Sequence, residues 1–161
     1  AYSWKAALTS QDKPTALILS RQNLEPQERD DHSQIAKGGY LLSKEEQSDL
    51  TIIATGSEVQ LAMHAKAHLK ENGLKANVVS MPCTEIFDQQ DAEYKTNILG
   101  DGPRVAIECG YPDFWHKYLN QGDLVIGMES FGESAPGSVL MDHFGFTADK
   151  VSKKIISFLK K

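Results

Sequence analysis

Only three arginines occur in the 161 residues, and the first stands where chemistry could use it. "ALILSRQNL", residues 16–24, runs as an apolar strand and then breaks into Arg21, Gln22 and Asn23. Core packing does not ask for that cluster of donors. A guanidinium at the carboxyl end of a strand lies where open α/β sheets bind ligands, and its planar fork suits a phosphate or a carboxylate bidentately. A structural ion pair with one of the 22 acids would account for the same residue, so both readings stand at this level.

Four other groups of residues invite a chemical reading, and each has a plainer explanation. "ATGSEV" puts Gly56 between a strand and a helix, where backbone N–H groups could receive an anion. It lacks both GxGxxG and the lysine of a P-loop, so a tight turn with Ser57 as helix cap is favoured. His64 and His68 have the i, i+4 spacing of a metal pair, but Ala65, Lys66 and Ala67 leave no general-base glutamate between them. At about 100° per residue, Leu61, Ala62, Ala65 and Leu69 share the apolar face, and the histidines fall on a solvated one.

"FGESAPG" (131–137) is one residue too long for a nucleophile elbow and does not leave a strand directly. A helix start with Ser134 as cap and Pro136 in the first turn fits the same letters. "LGDGPR" (99–104) holds the GDG triplet that opens the diphosphate and metal motif of thiamine diphosphate enzymes, but no asparagine follows in "VIGMESFGESA". Its position just before a strand reads as a turn.

The elements that must position these residues are legible from hydrophobic patterning. Nearly continuous apolar runs at "TALILS" (15–20), "DLTIIAT" (49–55), "ANVVSM" (76–81), "RVAIE" (104–108) and "DLVIGM" (123–128) predict strands covered on both faces. Residues 57–73 predict a helix ending at Gly73, so 49–81 forms a right-handed βαβ unit. A last helix is capped by Thr147, carries Asp149 in its first turn and buries a stripe of Val151, Ile155, Phe158 and Leu159, with Lys160 and Lys161 at its negative end. The expected fold is α/β: a Rossmann-like open, mostly parallel sheet of about five strands, with room for one antiparallel member, flanked by helices on both faces. "NLEPQERDDHSQIAKGGY" is a linker by composition, which places a boundary near residues 25–36 and leaves residues 1–30 as the remnant of something upstream of a domain at 31–161. The first residues, "SWKAALTS", read as the middle of a helix with no initiator methionine, as in an excised piece.

Composition excludes several function classes. A net charge of -5 argues against a nucleic-acid surface, which would cluster Lys and Arg. No apolar run approaches the ~20 residues of a membrane span, and no signal peptide is expected. Cys83 and Cys109 have no metal-like spacing and point to a reducing compartment, hence a cytoplasmic protein.

Taken in order, "PTALILSRQNL", "KGGYLL", "DLTIIATGSEVQLA", "VVSMPCTEIFDQQDAEY", "RVAIE", "FWHKY" and "FGESAP" with "FGFTADKV" resemble the C-terminal part of transketolase over essentially the whole chain. The combination of "LSRQN" and "FGESAP" favours that family over deoxyxylulose phosphate synthase and the β chains of 2-oxoacid dehydrogenases. Small departures occur at Glu25 before Pro26 and around Cys109 in "GYPDFWHKY".

The resemblance implies a homodimeric enzyme that moves a two-carbon ketol unit between sugar phosphates in the pentose phosphate pathway, using thiamine diphosphate and a divalent metal, Mg or Ca. It implies that this chain is the end of the pyrimidine-binding domain plus the C-terminal domain, with the upstream domains and a second subunit as partners. By the same resemblance, Arg21 matches the arginine that contacts the substrate phosphate. No catalytic, cofactor-binding or metal-binding residue is expected here, so the chain alone should be inactive and mainly structural. The alternative is a regulatory or small-anion-binding module at the Gly56 loop.

Overall fold

The computed structural model describes residues 2–27 and 32–160. The chain opens with helix α1 (Tyr2–Thr9), followed by extended backbone and a short 3-10 turn at Ser33–Lys37. Strands β1 (Tyr40–Ser43) and β2 (Leu50–Ala54) lead to helix α2 (Glu58–Glu71) and strand β3 (Ala76–Ser80). Helices α3 (Thr84–Asp88) and α4 (Ala92–Leu99) precede β4 (Arg104–Ile107), a 3-10 segment Pro112–Tyr118 and β5 (Leu124–Ile126). Helices α5 (Gly137–His143) and α6 (Ala148–Leu159) close the fold.

The five strands lie in the order β1-β3-β2-β4-β5. β2 is parallel to both β3 and β4, and β4 is parallel to β5. Only β1 runs antiparallel, against β3, with a register shift between Leu41 and Ser43. The central strands are apolar on both faces because both are covered. Leu50, Ile52, Val78, Val105 and Ile107 face α2 and α6, while Ile53, Val79 and Ala106 face Phe87, Ile98, Leu99, Trp115 and Tyr118. Burying each large apolar side chain contributes roughly 1.5–3 kcal/mol.

The predicted fold class holds, but one member of the sheet was not predicted. Residues 14–20 join no ladder, and Ile18 and Leu19 are 94% and 72% exposed. Tyr40–Ser43 supplies the fifth strand instead. Apolar β-branched sequence is sufficient for extended backbone, but a strand also requires a neighbour to receive its hydrogen bonds.

The end of the supposed linker is likewise packed. Gly38, Gly39 and Tyr40 are buried, and a Cβ on Gly38, whose φ is +82°, would lie 2.3 Å from the Cys83 carbonyl oxygen. The Tyr94 hydroxyl donates to Gly39 O at 2.9 Å, fastening α4 to the same stretch.

Two helix starts differ in detail from expectation. α5 begins at Gly137 after Pro136, whose carbonyl accepts from Val139 and Leu140 N–H, so Ser134 lies before the helix and does not cap it. Pro136 cannot donate in a first turn and its extended ψ of 139° delays the helix. α6 begins as expected, with Thr147 Oγ1 accepting from Lys150 N at 3.4 Å and Val151 and Ile155 fully buried. Lys161 lies outside the described residues.

Candidate functional site: the Arg21 arm

Residues 14–27 form an extended arm that reaches the carboxyl end of β2. Ser20 Oγ lies 3.8 Å from the Cβ position of Gly56, the glycine with φ +54° that turns the chain from β2 into α2. Farther along, Glu25 N–H donates to Gln60 Oε1 at 3.3 Å, and the Glu25 carboxylate sits 3.4 Å from His64 Nε2. Leu24, Glu25 and Gln27 thereby wall a small cleft of about 190 Å³ over Tyr40, Val59 and Ser80. The carboxyl edge of a parallel sheet is where α/β folds bind ligands, because helix N-termini and loops converge there.

Arg21 is exposed on this arm, and among the described residues its guanidinium makes no hydrogen bond or ion pair. Arg104 is the contrasting case. Its guanidinium donates to Tyr118 O at 2.9 Å and to Gly100 O, tying β4 to neighbouring loops. Arg29 lies outside the described residues. Of the two arginines that can be compared, one is engaged by backbone carbonyls and one is exposed.

The Gly56 loop carries an anion of its own. Glu58, 6% exposed, sits in the first turn of α2, and Ser57 Oγ donates to its Oε1 at 2.7 Å. Ser57 therefore occupies the cap position without capping a backbone N–H. A carboxylate at a helix N-terminus satisfies the positive end of the dipole.

Glu108 lies just past β4, beside the β2–β4 pair where the chain switches from one face of the sheet to the other. Its Oε2 accepts from Trp115 Nε1 at 3.3 Å. Burial, with Glu58 nearby, raises its pKa above the ordinary carboxylate value, and the Trp115 hydrogen bond opposes the shift. Burial, again with Glu58 and Glu108, pushes the Cys109 thiol far up, which makes it an inert thiol rather than a nucleophile. Residue patterning did not single out Glu58 or Glu108. The available signal was an acid directly after β4 and another opening the helix that follows β2.

The remaining motifs resolve as structure. His64 pairs with Glu25 on the outer side of α2, while Leu61, Ala62, Ala65 and Leu69 are buried as expected. No cluster of three or more metal-ligating side chains exists among the described residues. Gly100–Gly102 lies at the amino end of β4, opposite the arm. Gly100 N–H donates to Thr96 O, and Gly102 O accepts from Asn120 Nδ2 at 3.4 Å. Both glycines of that turn are thus held by the fold, as a turn leading into β4 requires. Ser134 is exposed and makes no hydrogen bond among the described residues, so it lacks the adjacent base an activated nucleophile needs.

The sequence pattern of the transketolase-like TK C-terminal domain family matches residues 38–147. Transketolase 1 of Escherichia coli strain K12 is 50% identical over 159 residues, covering 96% of this chain and 24% of that protein. A Pichia stipitis transketolase solved in complex with sedoheptulose 7-phosphate superposes with a TM-score of 0.91 at 35% identity, over 98% of this chain and 23% of that one. The Campylobacter jejuni transketolase gives a TM-score of 0.88 at 35% identity over 97% of this chain and 24% of its own. The chain thus spans about a quarter of the length of the relatives it matches.

Proposed function

Since the chain belongs to the transketolase family and matches its C-terminal portion, we propose that it serves an enzyme transferring a two-carbon ketol unit between sugar phosphates, with Arg21 gripping the substrate phosphate. The observation that carries this reading is the open guanidinium of Arg21, held on an arm at the carboxyl edge of the sheet. Residues 1–30 are the end of the pyrimidine-binding domain and residues 31–161 the C-terminal domain. The working enzyme is a cytoplasmic homodimer.

Thiamine diphosphate, bound with a divalent metal in the upstream domains, would supply the carbanion chemistry in the intact enzyme. Arg21 works at a distance from the reacting carbon. Its bidentate hydrogen bonds to a phosphate anchor the far end of the sugar, and that binding energy orients the near end. A small-anion module at the Gly56 loop is disfavoured by Glu58, whose carboxylate already sits at that helix start.

Arg21→Ala in the intact enzyme tests the reading. Losing a charge-assisted hydrogen bond costs about 1.5–3 kcal/mol, so KM for ribose 5-phosphate should rise roughly 10- to 100-fold while that for unphosphorylated ribose stays put. Equal losses for both sugars would reject the phosphate role.

A further inference from the structure

The sheet domain does not scatter its exposed apolar side chains. Among the described residues from 32 to 160, the large ones in the open are Tyr111, Phe114, Phe131 and Val139. Tyr111 and Phe114 follow the carboxyl end of β4, and Phe131, 96% exposed, follows that of β5. Val139 lies on α5, which reaches the same place, since its Met141 Sδ stands 3.8 Å from Cys109 Sγ just past β4. Among the described residues, α2, α4 and α6 expose no large apolar side chain. Because β2, β4 and β5 are parallel, their carboxyl ends share one edge. At the β2 end of that edge, Ser20 Oγ comes within 3.8 Å of the Cβ position of Gly56.

From this segregation we propose that the carboxyl edge of the sheet, from Gly56 across to Phe131, is the face on which the upstream part of the same polypeptide docks. It rests on the reading above that residues 1–30 end an upstream domain. On that reading, residues 14–27 are a piece of the neighbour already seated, touching the sheet domain at Gly56, Gln60 and His64. The apolar patch continues that contact along the same edge toward β5. A protein as long as the Escherichia coli relative, of which this chain covers 24%, has the bulk to cover it. Apolar surface gathered on one edge is the mark of such an interface.

The patch is also held still. The three-residue repeat of the 3-10 segment turns Pro112, Trp115 and Tyr118 inward and leaves Phe114 outward beside Tyr111. Trp115 Nε1 donates to Glu108 Oε2 at 3.3 Å, and the Tyr118 hydroxyl donates to Asp88 Oδ1 at 2.9 Å. Lys117 Nζ donates to Asp88 Oδ2 at 2.9 Å and lies 4.6 Å from the centroid of the Phe114 ring, steadying it. The two loops brace one another as well. Met128 N–H donates to Gly110 O at 2.9 Å, and a Cβ on Gly127 would stand 2.9 Å from Pro112 Cβ. Aromatic side chains presented on a fixed backbone lose little freedom on docking, and such residues are enriched at interface cores.

Photocrosslinking in the intact enzyme tests the face, with p-benzoylphenylalanine replacing Phe131 in one variant and Phe114 in another. Both positions are exposed in this domain, so neither replacement enters its core. After irradiation the product should run as a single chain on a denaturing gel, and mass spectrometry should join the probe to a peptide preceding residue 1. A dimer-length product would assign the edge to the second subunit and overturn the docking face, as would crosslinks confined to residues 32–161 or none at all. The KM ratio of Arg21→Ala reads the phosphate role separately. A raised ratio without an upstream crosslink overturns the docking face alone, and an upstream crosslink with an unchanged ratio overturns the phosphate grip alone.

Discussion

At the scale of single residues, the side chain with most to say about pH is Glu108 rather than Arg21. Its carboxyl is half buried beside Glu58 and has a raised pKa, so between its ordinary and raised values the folded chain binds more protons than the unfolded one. Stability therefore falls as pH rises through that window, and the destabilisation is complete above it. Glu108→Gln removes the charge while its amide oxygen can still accept from Trp115 Nε1. The variant should melt at a higher temperature than the parent at pH 7 and show no such gain below the ordinary carboxylate range. A circular-dichroism melt at the two pH values checks this, and a lower melting temperature at pH 7 would count against it. Arg21 could be singled out as a candidate because a guanidinium after an apolar run has no packing reason to be there. The contacts of Glu25 with Gln60 and His64 could not, since they are tertiary.

At the scale of elements, β2, β3, β4, β5, α2 and α6 could all be read from pattern, because each buries an unbroken apolar run or a clear stripe. β1 could not. It has four residues, follows two glycines and pairs through an irregular register, so neither alternation nor a long apolar run marks it. Residues 15–20 showed the converse failure, a strand by composition that lacks a sheet in this chain. The stretch before β1 reads as loose sequence only because glycine serves two opposite purposes. Gly38 is there for close approach: its φ of +82° and the 2.3 Å separation a Cβ would impose leave no room for a side chain against Cys83 and Phe87. Gly38→Ala should cost at least ~2 kcal/mol, from left-handed strain of about 1–2 kcal/mol plus displacement of α3. Gly73→Ala, with φ +78° but nothing within 4 Å of its Cβ position, should cost only the strain. Urea titration of the two variants separates the contributions; equal losses would show that packing at Gly38 does not matter.

At the scale of the molecule, the sheet domain is closed on both faces and yet leaves large apolar side chains in the open. Ile18 and Leu19 on the arm, Tyr111 and Phe114 after β4, and Phe131 after β5 are all more than half exposed. Apolar exposure of that kind marks interaction surfaces, and it agrees with the proposed assembly with upstream domains and a second subunit. Removing residues 31–161 from the intact enzyme should weaken its dimer, and sedimentation at falling concentration would register the change; an unaltered dimer affinity would deny the domain a role in assembly. On the proposed reading the chemistry lies in those other domains, and this chain contributes the phosphate grip of Arg21. The most direct trial is to purify the 161-residue chain, verify its fold by circular dichroism, and assay transfer from xylulose 5-phosphate to ribose 5-phosphate with thiamine diphosphate and Mg²⁺. No turnover above background is expected, and sustained product formation by the folded chain alone would contradict that division of labour.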